Sequence, residues 1–184
     1  MQLRNSTRGY GAAALSLHWL TVALVTTAWL LGTFSDDLPR GAVRDLGLRV
    51  HIAAGLAIIA VVLMRLVWRL VDPPPPFEPT RFGHWLDIAG RLTHLALYGL
   101  VAATPIVGVM LQFARGEALP VFGLVDIASP WVRDRAFAGS LKEIHEVLAN
   151  LLMIAAGLHA GAALAHHWLL RDRTLMRMLP GGTR

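Results

Sequence analysis

Four long apolar segments constrain the fold of this chain more than any other feature. They occupy residues 15–34, 50–71, 92–114 and 144–170, and each reaches the roughly 17–25 predominantly apolar residues that a helix needs to cross a bilayer. The stretch DPPPPFEPT separates the second segment from the third, and no helix can cross it because proline lacks a backbone donor. We therefore expect an all-α integral membrane four-helix bundle that forms one domain over residues 1–184.

Composition agrees with a membrane protein and excludes several cofactor classes. Hydrophobic residues make up 55% of the chain and charged residues 16%. The absence of cysteine excludes disulfides, thiolate-bound iron–sulfur clusters and any haem attached or ligated through cysteine. The net charge of +5 comes from basic residues beside apolar segments, so we expect contact with membrane lipid headgroups and no nucleic acid.

The distribution of arginine predicts the topology. The first apolar segment is longer than the core of a signal peptide, about 7–15 residues, and we expect it to be retained as a span. Arginines cluster in three regions that four spans would place on one side, whereas the other two loops mix both signs. These arginines are Arg4 and Arg8, then Arg65, Arg69 and Arg81, then Arg171, Arg173, Arg177 and Arg184. Both termini are therefore predicted to be cytoplasmic. The long loop over residues 115–140 has room for a short surface helix.

Two histidines in the fourth segment indicate two separate centres. His145 and His159 are 14 residues apart, which places them within roughly 40° on one helix face and about 21 Å apart along the axis. No single metal ion can bind both imidazoles. If both are ligands, two centres lie at different depths in the membrane.

The predicted orientation pairs these histidines with two others by depth. His18 lies in the first turns of span one, on the same side as His159. His51 lies early in span two, on the outer side with His145. Two imidazoles from facing helices are what a six-coordinate b-type haem requires, because the porphyrin fills the other four positions. Interhelical hydrogen bonding, or an interfacial position for His18 and His51, is the alternative.

The small residues near these histidines allow two interpretations. Clearance for flat macrocycles is one, and simple close packing of membrane helices is the other. They are Ala53, Ala54 and Gly55 after His51, and Ala155, Ala156, Gly157, Ala160 and Gly161 around His159.

The remaining histidines give weaker signals. His84, beside Trp85, is typical of an interfacial anchor. His94 begins span three and fits a packed position better than a spare ligand. His166 and His167 end span four, where one of them could contact a quinone headgroup or both could contact lipid headgroups.

Several motifs resemble the bacterial cytochrome b561 family, which contains compact four-helix dihaem membrane cytochromes. The similar pieces cover nearly the whole chain: LSLHWL (15–20), His51, HLALYGLVAATPIVGVM (94–110), LKEIHEVLAN (141–150) and GLHAGAALAHHWLLRDRTLMRMLP (157–180). The resemblance implies two haem b groups whose iron ligands are His18 with His159 and His51 with His145. It also implies a multi-pass location in the bacterial inner membrane.

The family includes superoxide oxidases, which pass electrons from superoxide to ubiquinone, and the chain is most similar to these members. The resemblance then implies a quinone site at Ser16, Trp19 and His166, with superoxide or another outer electron donor as the second partner. The outer loops differ most from that pattern. Three basic residues close to His145 in sequence, Arg133, Arg135 and Lys142, either draw an anion toward the outer haem or form a solvated loop.

Two other functions are compatible with the same residues. The chain could be the haem b electron-conduit subunit of a larger dehydrogenase or hydrogenase, although its small size argues against this. It could also be a haem-free helical scaffold or transporter, whose histidines would serve as polar contacts or a proton path.

Overall fold

Four long helices dominate the computed structural model, which describes residues 2–7, 9–76, 78 and 84–179. They are α1 (Ala12–Thr33), α2 (Ala42–Val71), α3 (His84–Ala114) and α4 (Arg135–Ala165), and a π-helical turn over His166–Leu170 extends α4. All four are long and apolar enough to cross a membrane. The expected all-α four-helix membrane architecture is confirmed. Three arginines used to predict the topology, Arg8, Arg81 and Arg184, lie outside the described residues.

Three of the helices begin well before the apolar segments that predict them. α2, α3 and α4 start at Ala42, His84 and Arg135, whereas the apolar segments start at residues 50, 92 and 144. An apolar run marks only the part of a helix that lies in lipid, and the helix continues into the polar interface because its backbone bonds are internal. At the start of α4 the Asp134 carboxylate accepts a hydrogen bond from the Phe137 N–H at 3.0 Å, which caps the helix.

The loop between α3 and α4 folds into a β-hairpin, where a short surface helix had seemed possible. Strand β1 (Leu119–Val121) pairs with β2 (Val125–Ile127) in an antiparallel register. Phe122 and Gly123 both have positive φ, 53° and 71°, and Leu124 N–H donates to the Val121 carbonyl at 3.0 Å. This is the geometry of a tight turn that matches the twist of the paired strands. We call this end of the bundle, with β1, β2 and the first turns of α2 and α4, the hairpin end.

The opposite end, which we call the tail end, joins the N-terminal segment, the linker after α2 and the C-terminal segment. Asn5 N–H donates to Asp72 Oδ2 at 2.8 Å. The buried Arg177 guanidinium donates to the carbonyls of Thr7 at 3.2 Å and Pro76 at 2.8 Å, and it pairs with Glu78 at 3.3 Å. The three segments therefore meet on one side, as an even number of spans requires. The assignment of that side to the cytoplasm stays a prediction.

The packing of the helices separates two levels of the bundle. The most extensive helix contacts join α3 to α4, α1 to α2 and α2 to α3, and the Trp29 indole N–H of α1 donates to Asn150 Oδ1 of α4 at 3.3 Å. A buried cluster of Ile58, Val62, Val101 and Leu152 forms the centre. Because Leu152 is seven residues from both His145 and His159, this cluster lies between the two histidine levels. Large apolar side chains such as Leu63, Leu95 and Leu158 are exposed on the outer helix faces, where lipid would contact them.

Candidate functional site

At the hairpin end, His51 of α2 faces His145 of α4. The two ring centroids are 6.0 Å apart, and the ring planes are nearly perpendicular at 77°. The Nδ1 atom of His51 lies 2.8 Å from the Ala28 carbonyl, and that of His145 lies 2.9 Å from the Thr104 carbonyl. A carbonyl oxygen only accepts, so Nδ1 carries the proton in both rings. The Nε2 lone pair of each imidazole is thereby left available for a metal ion.

A glycine makes room for each of these imidazoles. Gly32 and Gly108 come four residues after the two accepting carbonyls, and helix side chains tilt back over the preceding turn. A Cβ atom at Gly32 would lie 3.1 Å from His51 Cε1, and one at Gly108 would lie 3.0 Å from His145 Cε1. Without a side chain at these positions the imidazoles reach the helix backbone. Neither glycine was assigned to a site from the sequence; the signal was a glycine at the depth of a histidine on a neighbouring span.

At the tail end, His18 of α1 faces His159 of α4, with ring centroids 6.4 Å apart. Within the described residues neither imidazole makes a hydrogen bond. A third imidazole, that of His94 on α3, lies 5.4 Å from His159, closer than His18 does. The structure therefore places His94 in the tail-end group, where both the packed position and the spare ligand considered from the sequence remain open.

Arg65 brings a positive charge to the tail-end histidines. Its guanidinium donates to the Thr21 hydroxyl at 3.0 Å and lies 5.1 Å from the ring centroid of Tyr98. It is close enough for its charge to act on the imidazoles of His18, His94 and His159. In the described part of the chain it has no carboxylate partner. Arg65 thus turns into the bundle, whereas arginines near the end of a span often extend toward the interface.

The spacing of both pairs fits a haem with two axial imidazoles. A metal–imidazole bond is about 2 Å long, so two imidazoles on opposite sides of one metal ion have ring centroids roughly 6 Å apart. The two pairs have centroid distances of 6.0 and 6.4 Å, and both join the α1–α2 side of the bundle to α4. A Cβ atom at Gly157 or Gly161 would meet no atom within 4 Å, so tight helix packing does not explain these two glycines.

The residues expected to bind quinone all lie at the tail end. The Trp19 ring is 5.4 Å from the His18 ring, and its indole N–H donates to the Met178 carbonyl at 2.9 Å. Ser16 is exposed, two residues before His18. His166 is seven residues after His159, which places it on the same face of α4, about 10 Å nearer the tail. In the part of the chain that is described, no hydrogen bond or ring contact joins His166 to Ser16 or Trp19.

His166 has an acidic partner that sequence reasoning missed. Its Nδ1 atom lies 2.5 Å from Asp172 Oδ2, six residues further on. Burial alone would raise the pKa of the Asp172 carboxyl, but hydrogen bonds from His166 and from Thr174 outweigh burial and hold that pKa below its usual range. Asp172 is therefore a carboxylate at neutral pH.

Four basic side chains line one cleft at the hairpin end. They are Arg115, Arg133, Arg135 and Lys142, and the cleft has a volume of about 220 Å³. Lys142 pairs with Glu146 at 2.9 Å, whereas the three arginines have no acidic partner among the residues described. The structure thus brings together the three basic residues noted in the sequence and adds Arg115, whose charge reaches His145.

Comparison with known proteins identifies the family. The model of the prokaryotic cytochrome b561 family matches residues 9–181. The chain is a member of that family. It is 34% identical to a probable superoxide oxidase, CybB, of Yersinia pestis, over 93% of this chain and 96% of that protein. It is 29% identical to cytochrome b561 homolog 2 of Escherichia coli (97% and 95%) and 30% identical to cytochrome b562 of Cereibacter sphaeroides (93% and 95%).

Membership fixes the class of activity. The prokaryotic cytochromes b561 bind haem b, and this member is a multi-pass bacterial membrane protein with an electron-transfer role. The family predicted from the motifs of spans one, three and four is confirmed. An oxidoreductase is also the class that the name of the Yersinia relative indicates.

Proposed function

We propose that this cytochrome of the bacterial inner membrane holds two haem b groups and passes single electrons from superoxide, or another donor at the hairpin end, to ubiquinone at the tail end. The observation that carries the proposal is the presence of two facing imidazole pairs, with ring centroids 6.0 and 6.4 Å apart, on opposite sides of the central apolar cluster. His51 and His145 would hold one haem, and His18 and His159 the other. When bound, the haem irons supply two one-electron centres at different depths in the membrane.

The chain's own residues orient the hairpin-end imidazoles. The Ala28 and Thr104 carbonyls hold His51 and His145 through Nδ1, at 2.8 and 2.9 Å. This fixes the tautomer and the direction of each Nε2 atom. Both carbonyls belong to long helices of the bundle, α1 and α3, so the ligands are positioned before a metal ion is bound.

The basic cleft supports an anionic donor at the hairpin end. Arg115, Arg133, Arg135 and Lys142 surround it, and α4 begins there at Arg135, so the partial positive charge of the helix N-terminus adds to theirs. Positive charges in a cleft raise the local concentration and the association rate of a small anion. Superoxide is such an anion, and the name of the Yersinia relative, probable superoxide oxidase, points to the same donor.

At the tail end, Ser16, Trp19 and His166 would bind the ubiquinone headgroup. The apolar indole of Trp19 is half exposed beside His18 and offers a flat surface for the quinone ring. His166 presents its Nε2 atom because Nδ1 is bonded to Asp172. The overall reaction consumes two superoxide anions, which become dioxygen, and one ubiquinone, which takes up two electrons and two protons to become ubiquinol.

The test uses the purified full chain in detergent or lipid nanodiscs. We expect two haem b groups per polypeptide and superoxide consumption that requires a short-chain ubiquinone. One iron per polypeptide, or none, contradicts the paired-histidine sites. Two haems with superoxide consumption that does not respond to ubiquinone would instead favour a conduit that serves another protein. The protein heated until its haem is lost serves as the control for uncatalysed superoxide decay.

A further inference from the structure

The last turn of α4 brings an acidic side chain back to His166. The π-helical turn His166–Leu170 is followed by Arg171 in the left-handed conformation, with φ 55° and ψ 37°. This reversal lets the Asp172 N–H donate to the His166 carbonyl at 3.1 Å. The Asp172 carboxylate meets His166 Nδ1 at 2.5 Å. π-Helical turns of this kind are frequent at functional sites.

Both oxygens of the Asp172 carboxylate are engaged. Oδ2 accepts from His166, and Oδ1 accepts from the Thr174 N–H at 2.9 Å. The Asp172 side chain is only 11% exposed, compared with 21% for His166. Since a carboxylate only accepts, the Nδ1 proton of His166 is held in place, and the ring cannot rotate without breaking this bond.

This contact differs from those of three other histidines at the tail end. His18 and His159 make no hydrogen bond within the described residues, and His167 is beside Trp168 with a ring separation of 6.4 Å. Among the residues described, only His166 of these four has a carboxylate partner. It also lies on the His159 face of α4, two helical turns nearer to the aqueous surface.

We propose that Asp172 is a positioning residue for quinone reduction: it orients His166 so that Nε2–H points at the bound ubiquinone, and its carboxylate compensates the charge of the protonated imidazole. This inference rests on the proposed function. His166 would then deliver one of the two protons that quinone reduction requires, with Asp172 acting through it.

The proton transfer balances without another reactant. Ubiquinone receives two electrons, one at a time, from the two superoxide anions that the reaction oxidises. The two protons go to the two carbonyl oxygens at opposite ends of the quinone ring. For one of them, the Nε2–H bond of protonated His166 breaks and an O–H bond forms on the oxygen nearer to His166. Water at the tail end supplies the proton for the other oxygen. The neutral imidazole keeps its Nδ1 proton, which stays hydrogen-bonded to Asp172, and water at the tail end returns a proton to Nε2.

The experiment separates the two halves of the reaction in the purified holoprotein. Reduction of the haem by superoxide is followed by absorbance without quinone. Reoxidation of the prereduced haem is followed by stopped flow with a short-chain ubiquinone. For D172N we expect unchanged haem content and reduction, and reoxidation about 10- to 100-fold slower, comparable to the loss of a carboxylate partner behind a metal-bound histidine. The loss should appear in kcat, with KM for ubiquinone nearly unchanged, and D172E should restore part of the rate.

Further variants make the outcome decisive. Asp72→Asn removes another buried carboxylate at the tail end, and H167Q removes the neighbouring imidazole; neither should slow reoxidation. H166Q combined with D172N should be no slower than H166Q alone, because the two residues act as one unit. If D172N fails to fold, Asp172→Ser retains an acceptor for the Thr174 N–H and carries the same expectation.

Two results would contradict different parts of the proposal. Equal reoxidation rates for D172N, or D172S, and the wild-type chain overturn the role of Asp172 while leaving the proposed function intact. Wild-type haem that ubiquinone does not reoxidise overturns the proposed function itself.

Discussion

The two histidine pairs of the bundle differ in the groups that surround them. At the hairpin end, backbone carbonyls orient His51 and His145, and two glycines make room for their rings. At the tail end, His18 and His159 have no such carbonyls in the described structure, but the cation of Arg65 lies close by. The same four-helix scaffold thus gives its two ends different electrostatic surroundings.

This difference bears on the direction of electron flow. An imidazole that donates Nδ1–H to a carbonyl becomes a stronger ligand, which favours the oxidised metal ion. A nearby cation favours the reduced one, because reduction adds a negative charge. We therefore expect an electron to be more stable at the tail end than at the hairpin end, which agrees with a donor at the hairpin end and a quinone at the tail end.

The largest expected effect comes from removing one ligand of each pair. His51→Ala should eliminate the hairpin-end haem, and His159→Ala the tail-end haem, so each variant keeps about one of two haems because each pair serves one iron. Haem per polypeptide and the low-temperature absorbance spectrum provide the measurement. The two variants should lose different spectral components. If both lose the same component, the pairing by depth is wrong.

Adding one methyl group at the hairpin end should have the next largest effect. Gly108→Ala would push the His145 ring away from its position, since the new Cβ would lie 3.0 Å from Cε1. We expect haem at this site to bind about 10- to 100-fold more weakly, as measured by haem retention during dilution, with the tail-end spectrum unchanged.

Gly99→Ala on the same helix is the matched control, because its Cβ would meet no atom within 4 Å. Alanine is a better helix former than glycine by about 1 kcal/mol, so helix destabilisation cannot account for a loss of haem in Gly108→Ala. If Gly108→Ala binds both haems as tightly as the wild-type chain, the position of His145 does not depend on this glycine.

The helices and the relative depth of the histidines could be predicted from the sequence, because both follow from periodicity and hydrophobicity along single segments. Sequence reasoning missed Gly32, Arg65 and Asp172 as parts of the sites, for one shared reason. Gly32 makes room for His51 of another helix, Arg65 turns toward histidines of other helices, and Asp172 reaches His166 through a reversal after a π-helical turn. Such contacts do not follow from the pattern along a single segment. The β-hairpin was missed because its strands have only three residues each, too few for an alternating pattern to show.

The charge of Arg65 should shift the potential of one haem only. Arg65→Gln should lower the midpoint potential of the tail-end haem by about 59 mV, a tenfold change in its one-electron equilibrium. The hairpin-end value should stay constant. Spectroelectrochemical titration resolves the two values.

Arg65→Lys keeps the charge and should retain most of the wild-type potential. Arg69→Gln should have a smaller effect, because Arg69 lies one helical turn nearer to the end of α2 than Arg65 does. Equal shifts of both haems in Arg65→Gln would mean that the arginine acts on the bundle as a whole and not on one end.

The smallest expected effect concerns the basic cleft, and it tests whether the hairpin end receives the donor. Arg133→Gln and Arg135→Gln should each slow haem reduction by superoxide on the order of threefold at low salt, less than the 10-fold or more that a complete charged cleft provides. Raising the ionic strength should slow the wild-type reaction and reduce the difference between it and the variants, because salt screens exposed charges.

Arg171→Gln removes an equally exposed charge at the tail end and should leave the rate unchanged. A wild-type rate that does not respond to salt, or an equal loss in Arg171→Gln, would mean that the cleft does not guide the anion and that the two ends do not differ in how they meet superoxide.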